Sequence, residues 1–145
     1  MKAPVSDPTL GPLRFDDGLN WYEGLLPHAT HGQIPFTISL DAQPSADYAI
    51  QEARLLVPLL ADSLESARVY ACESLLSVKY DEWLVQGEAP IDEAAFVSQL
   101  SVESIGVYAE REAEFFFRGG SLFSGHTVVL SWSPVQGFYG ATIAG

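Results

Sequence analysis

The chain has 145 residues, 48% of them hydrophobic and 18% charged, a balance that is typical of a globular protein and excludes a disordered one. Nineteen acidic residues against seven basic ones give a net charge of −12, which disfavours nucleic acids and anionic membrane surfaces as partners. The single cysteine excludes an intrachain disulfide and a cysteine-cluster metal site, and no apolar run approaches the ~20 residues of a membrane-spanning helix. The first residues lack the apolar core of a secretory signal, so we expect one cytoplasmic domain over residues 1–145.

The N-terminal third of the chain has the pattern of β-strands. Residues 13–16 and 21–25 alternate apolar and polar side chains around the turn-forming sequence Asp-Gly-Leu-Asn, which predicts a β-hairpin. A loop is expected over 27–32. Residues 34–40 then alternate with a period of two, which indicates a half-buried strand, and Pro35 favours an edge position or a strand start.

The middle of the chain has helical spacing of its apolar residues. Ser45 is placed to cap a first helix, and Pro58 must kink or end that helix because proline has no N–H to donate. Asp62 begins an Asp-x-x-Glu capping box, which predicts a second helix over about 62–85. A short third helix is predicted over about 92–100.

The period of two returns after the helices, with strands predicted near 102–109, 115–117, 126–132 and 138–143. Short connections between these strands are typical of an antiparallel meander. We therefore predict an α+β fold. Its antiparallel sheet would combine the N-terminal hairpin, the following strand and a C-terminal four-strand meander, with two to three central helices packed on one face.

The acidic residues are concentrated between positions 81 and 114. This stretch holds nine acidic residues and a single basic one, Arg111. Such a surface attracts basic partners and speeds their encounter, although solubility alone also explains it. Glu110, Glu112 and Glu114 alternate along a stretch predicted to be extended, so they would project on one side as a solvated edge or as paired carboxylates for acid–base work. The nine acidic residues are Asp81, Glu82, Glu88, Asp92, Glu93, Glu103, Glu110, Glu112 and Glu114.

Residues 120–127 nearly match the phosphate-binding pattern Gly-x-x-x-x-Gly-Lys-Ser/Thr. The lysine position holds His126, and the following residues continue as a strand instead of opening a helix. We therefore predict a glycine-bearing turn between two strands, with His126 hydrogen-bonded to the neighbouring loop.

Histidines offer a possible ligand site at His126 with Ser124, His28 and His31. With one carboxylate, the three histidines could complete a tetrahedral zinc site, but nothing in the sequence brings them together, so neither metal nor cofactor is predicted. A catalytic serine would need a nucleophile elbow, which the sequence lacks. Cys72 falls on the apolar face of the second helix, which predicts a buried, protonated thiol.

Three stretches resemble a family of small bacterial proteins of unknown function. They are an opening hairpin (GPLRFD followed by WYEG), the strand VESIGVY, and a C-terminal signature of FFF, LFSGHTV and the ending IAG. The family often carries an acidic residue before Leu-Phe, where this chain has RGGS, and that departure weakens a metal or acid–base site at the turn. The resemblance implies no established activity, but similar proteins look like immunity or antitoxin partners in bacterial competition loci.

Three functions follow as hypotheses. The first is a non-catalytic binding protein of immunity or antitoxin type, which masks a basic partner protein with its acidic surface. The second is a small enzyme or a ligand- or metal-binding protein with a site around His126. An interaction module without an inhibitory role is a third.

Overall fold

The computed structural model describes residues 3–83 and 91–144. Over these residues the chain forms four strands, then three helices, then four more strands. In chain order the elements are β1 (Val5–Asp7), β2 (Gly11–Asp16), β3 (Trp21–His28), β4 (Gly32–Ser39), α1 (Ala46–Ala61), α2 (Leu64–Glu82), α3 (Glu93–Gln99), β5 (Ser101–Val107), β6 (Ala113–Arg118), β7 (Thr127–Ser133) and β8 (Gly137–Ala144).

The strands form one sheet in chain order, β1 to β8. Neighbouring strands are antiparallel except β4 and β5, which are parallel and pair Phe36 with Ile105 and Ile38 with Val107. A parallel pair needs a long connection, and the three helices between β4 and β5 supply it. The predicted α+β fold, with its N-terminal hairpin and C-terminal meander, is confirmed.

One face of the sheet carries the core. Alternate strand residues such as Phe36, Ile105, Phe115 and Leu130 are fully buried, because the helices pack over them. The residues between them in sequence, such as Glu114, lie on the opposite face, where most side chains are partly or fully exposed. We call this side the open face. Among the described residues, no helix is both long and apolar enough to span a membrane.

The helix ends differ in part from the prediction. Ser45 caps α1 by accepting a hydrogen bond from the Tyr48 N–H at 3.0 Å, as predicted. Pro58 lies inside α1, and the helix continues for three residues after it. The predicted capping box at Asp62 is wrong. Helix α1 ends at Ala61, and Asp62 is its C-cap. Helix α2 begins after Ser63, whose side chain makes no capping hydrogen bond. The expected end of α2 near residue 85 lies outside the described residues.

The prediction of an edge position or a strand start for Pro35 is also wrong, since β4 begins three residues earlier, at Gly32. Strand β4 lies inside the sheet, between β3 and β5. Its parallel pairing with β5 begins only at Phe36, so the missing N–H of Pro35 interrupts no ladder. The loop expected over 27–32 is shorter than predicted, because β3 continues to His28 and β4 starts at Gly32.

Candidate binding site on the open face

A tight turn joins β5 to β6 at one end of the open face. The Tyr108 N–H donates to the Glu112 carbonyl at 2.8 Å, and the Glu112 N–H donates to the Ala109 carbonyl at 3.3 Å. The two central residues, Glu110 and Arg111, have φ values of 63° and 62°. Positive φ at both central positions defines the mirror-image turn that favours Asn-Gly, so two side-chain-bearing residues here are strained by roughly 1–2 kcal/mol each.

Arg111 links this turn to the helical layer. Its Nε donates to a carboxylate oxygen of Glu52 in α1 at 3.1 Å. The pKa of Glu52 is lowered, first by the hydrogen bond from the Tyr48 hydroxyl and then by Arg111. This contact opposes relaxation of the turn and leaves Glu110, which is exposed, without a described partner.

Tyr108 folds back over the open face onto β6. Its hydroxyl donates to Glu114 at 2.7 Å. Gly106 makes this possible, because a Cβ at that position would lie 3.0 Å from the Tyr108 hydroxyl oxygen. Burial, followed by the carboxylate of Glu114, raises the pKa of Tyr108 well above its ordinary value.

Tyr139 makes the equivalent contact from β8. Its hydroxyl donates to Glu112 at 3.2 Å, while about half of the residue (47%) stays exposed. Burial and the Glu112 charge raise its pKa also. We name the group formed by Tyr108, Glu110, Glu112, Glu114 and Tyr139 the acidic patch.

The acidic patch can accept hydrogen bonds from a further donor. Both tyrosines are held in the protonated form by their raised pKa values, so neither is available as a phenolate. Glu112 and Glu114 each accept one tyrosine hydrogen bond and keep further lone pairs for another donor. Carboxylates fixed in this way are suited to accept hydrogen bonds from Arg or Lys side chains of a partner.

The other acidic residues singled out in the sequence lie elsewhere. Glu103 sits at the far end of β5, 3.8 Å from Arg118, and Glu88 lies outside the described residues. Asp92 caps α3 by accepting from the Ala95 N–H at 2.8 Å. Three more acids are exposed at the end of α2 and the start of α3, namely Asp81, Glu82 and Glu93. The structure therefore divides the acidic stretch between opposite ends of the sheet, and Glu110 occupies a turn instead of the extended strand predicted for it.

The structure places two of the three histidines together. The rings of His28 and His31 are 5.0 Å apart, beside the α1–α2 junction. His28 Nε2 lies 3.3 Å from Asp62, and His31 Nε2 lies 3.8 Å from Glu65. The His28 Nδ1 accepts two backbone N–H groups from its own loop, so this pair organises the β3–β4 connection.

His126 is at the other end of α2. Its ring packs edge-on against Trp83 at 5.1 Å, just after the last helical residue. A helix of this length separates its two ends by about 30 Å, so His126 does not converge with the other histidines. Its Nδ1 bonds to the Phe123 carbonyl at 2.8 Å, which confirms the predicted role in fixing the glycine-bearing turn.

Ser124 and Cys72 also lack a catalytic setting. Ser124 is exposed at a φ of 54° in the turn before β7 and makes no described contact with the His126 ring. Cys72 is buried as predicted, and burial raises the pKa of its thiol. Within residues 3–83 and 91–144, no group of three or more His, Cys, Asp or Glu side chains is arranged to hold a metal ion.

Sequence reasoning missed the two tyrosines of the acidic patch. A signal for Tyr108 exists, because it stands two residues after Gly106 on the same strand face, and a glycine leaves room for a neighbouring aromatic ring. Tyr139 had no such signal. Its contact with Glu112 depends on the irregular register between β7 and β8, which local sequence does not encode.

Comparison with models of protein families finds a match over nearly the whole chain. The model of a family described as uncharacterized protein conserved in bacteria, DUF2262, matches residues 7–143. No curated protein and no solved structure matches the chain.

Proposed function

This chain belongs to the bacterial family DUF2262, and from that starting point we propose that it is a non-catalytic binding protein of immunity or antitoxin type. Its acidic patch receives basic side chains of a partner protein and masks them. The role is cytoplasmic in this proposal, which agrees with its single reduced and buried thiol.

The strained turn at Glu110 and Arg111 is the observation that carries the proposal. Two consecutive residues with side chains adopt left-handed φ values where Asn-Gly would be relaxed. Backbone strain of this kind persists where the surrounding structure enforces it, and it concentrates at functional positions. Here it holds one acidic side chain exposed beside two carboxylates that tyrosine hydroxyls already orient.

Charge supports the same proposal. The chain carries −12 overall, so a basic partner would be attracted over long range and its encounter accelerated. At close range the tyrosines would add aromatic contact area, and tyrosine is enriched among the residues that dominate binding energy at protein interfaces.

The experiment is co-expression with the product of the adjacent gene, followed by an affinity measurement on the purified complex. We expect a stable complex that weakens as salt rises. The triple variant Glu110→Lys, Glu112→Lys and Glu114→Lys should weaken it by about 100-fold or more, because repulsion replaces three attractive contacts.

A matched control makes the same change in net charge elsewhere. Glu73, Asp81 and Glu82 are exposed on α2, and the triple substitution of these residues by Lys should change the affinity far less. Equal losses in both triple variants would reduce the role of the acidic patch to bulk charge. A complex that ignores both sets of substitutions would exclude this site.

A further inference from the structure

A wide groove separates the β1–β2 hairpin from the second half of β3. Its volume is about 1120 Å³, and the lining is mainly apolar. Prolines stand on both of its sides, three from the hairpin and two from β3 and β4: Pro4, Pro8, Pro12, Pro27 and Pro35.

The groove exists because the ladder between β2 and β3 ends partway along. Only residues 14–16 of β2 pair with β3, while residues 11–13 pair with β1 on the other edge of β2. The register would place Pro12 opposite Leu25, but Pro12 has no N–H to donate to β3. From residue 24 onward, β3 therefore lacks a described strand partner on this side.

The backbone groups of β3 that face the groove can be identified from the ladder with β4. The Leu40 N–H donates to the Asn20 carbonyl at 3.0 Å, so residues 20 and 40 are a hydrogen-bonded pair. Bonded and non-bonded pairs alternate along an antiparallel ladder, so the even-numbered residues of β3 hydrogen-bond to β4 and the odd-numbered ones face the other way. The N–H and carbonyl of Leu25 and the carbonyl of Pro27 then point to the groove. The positions of Pro27 and Pro35 are consistent with this alternation, because both prolines fall in pairs that form no hydrogen bond in the β3–β4 ladder.

These groups form an incomplete strand edge inside an apolar channel. Leu25 is 51% exposed, so an incoming chain can reach it. Extended peptides bind such edges by adding a strand, with affinity from main-chain hydrogen bonds and selectivity from pockets for alternate side chains.

We propose that this groove binds an extended segment of a partner protein, which pairs with β3 at Leu25 and Pro27. The proline walls select apolar side chains at alternate positions, and the charge of −12 selects a segment without acidic residues. The same charge disfavours a second copy of this chain as the occupant. The groove is built from β1 to β4 and the acidic patch from β5 to β8, so neither proposal rests on the other.

The test uses the full chain as bait for a phage-displayed library of random twelve-residue peptides. The enriched peptides should carry apolar residues at alternate positions and lack acidic residues. A synthetic peptide of the enriched sequence should shift the amide NMR signals of residues 24–28 and slow hydrogen exchange at the Leu25 amide. Leu25→Pro should weaken this peptide by about tenfold more than Leu25→Ala, because only the proline variant removes the N–H.

Two further variants keep the test decisive if Leu25→Pro does not fold. Thr9→Trp fills the groove from the exposed β1–β2 turn and should abolish binding, while Thr30→Trp, in the exposed β3–β4 loop, should not. Failure to enrich any peptide would overturn the proposal, as would a peptide whose signals map to β8. Binding of anilinonaphthalene sulfonate at Leu25 without any peptide would show a small-molecule site instead, and would also overturn it. Charge reversal in the acidic patch should leave the peptide affinity unchanged.

Discussion

The carboxylate of Asp7 joins the β1–β2 hairpin to helix α1. It accepts the N–H groups of Thr9 and Leu10 at 2.9 Å and two guanidinium bonds from Arg54 at 2.6 and 3.0 Å. The Asp7 side chain is 2% exposed. The hydrogen bond from Arg54 is the first reason that its pKa is lowered.

Substituting Asp7→Asn should therefore lower the free energy of unfolding by about 2 kcal/mol at neutral pH, the usual loss for hydrogen bonds to a charged group. Because the folded-state pKa is depressed, this contribution is present above the unfolded pKa and is lost as pH falls through the folded value. The difference between wild type and variant should thus shrink in acid. Urea unfolding at pH 7 and pH 3 measures both, with Asp17→Asn on the exposed β2–β3 turn as a control that should change little.

His31 gives a second dependence on pH, at milder acidity. Burial, then the positive charge of Arg68, then His28 lower its pKa, while Glu65 opposes them. The folded state therefore prefers neutral His31, and its contribution to stability is present above the unfolded pKa of about 6.5 and decreases as pH falls below it.

The expected result is a free energy of unfolding that decreases between about pH 7 and pH 5, and a smaller decrease in His31→Gln. Denaturant unfolding at several pH values measures it. Parallel curves for wild type and variant would mean that His31 is not the group responsible.

At the scale of elements, the Tyr108–Glu112 turn has a backbone preference that its sequence does not meet. Glu110→Gly should raise the free energy of unfolding by about 1 kcal/mol, because glycine adopts the φ of 63° without the steric cost. Ala109→Gly is the matched control. Residue 109 has no positive φ, so glycine there should lower stability or leave it unchanged. Thermal unfolding distinguishes the two, and a destabilised Glu110→Gly would contradict the strain assigned to this turn.

The periodicity of the sequence could predict most elements but not the local exceptions. Alternation indicated β5 to β8 and much of β2 to β4, because buried and exposed side chains alternate on a sheet with one covered face. It missed β1, whose three residues lie between prolines and give no pattern. It misplaced Pro35, because an interior strand tolerates a proline at a position that has no paired neighbour on one side. Whether Pro35 is such a position depends on the register between β4 and β5, a strand about seventy residues away.

The acidic residues show the same limit for function. Their concentration along the chain predicted a charged surface, but proximity in sequence did not become proximity in space. The strands β5 and β6 carry Glu103 to one end of the sheet and Glu112 and Glu114 to the other. The tyrosine contacts that orient these carboxylates come from Tyr108, directly after β5, and from Tyr139 in β8, so they appear only once the sheet has formed.

At the scale of the whole molecule, the fold separates two surfaces. Helices cover one face of the sheet, while strands and their turns present the acidic patch and the proline-lined groove. Helix α1 anchors both surfaces, through Glu52 to Arg111 and through Arg54 to Asp7. A binding protein built in this way keeps its core apart from its contacts, so substitutions in the acidic patch can change affinity with little change in stability.

Hydrogen exchange by mass spectrometry, on the free protein and on its complex with the adjacent gene product, tests the central claim most directly. Binding through the acidic patch predicts slowed exchange at the Tyr108–Glu112 turn, whose described backbone hydrogen bonds come from the N–H groups of Tyr108 and Glu112 and not from those of Glu110 and Arg111. The exposed side of α2 should exchange at the same rate in both states. Protection confined to the helices, with the turn unchanged, would contradict the account.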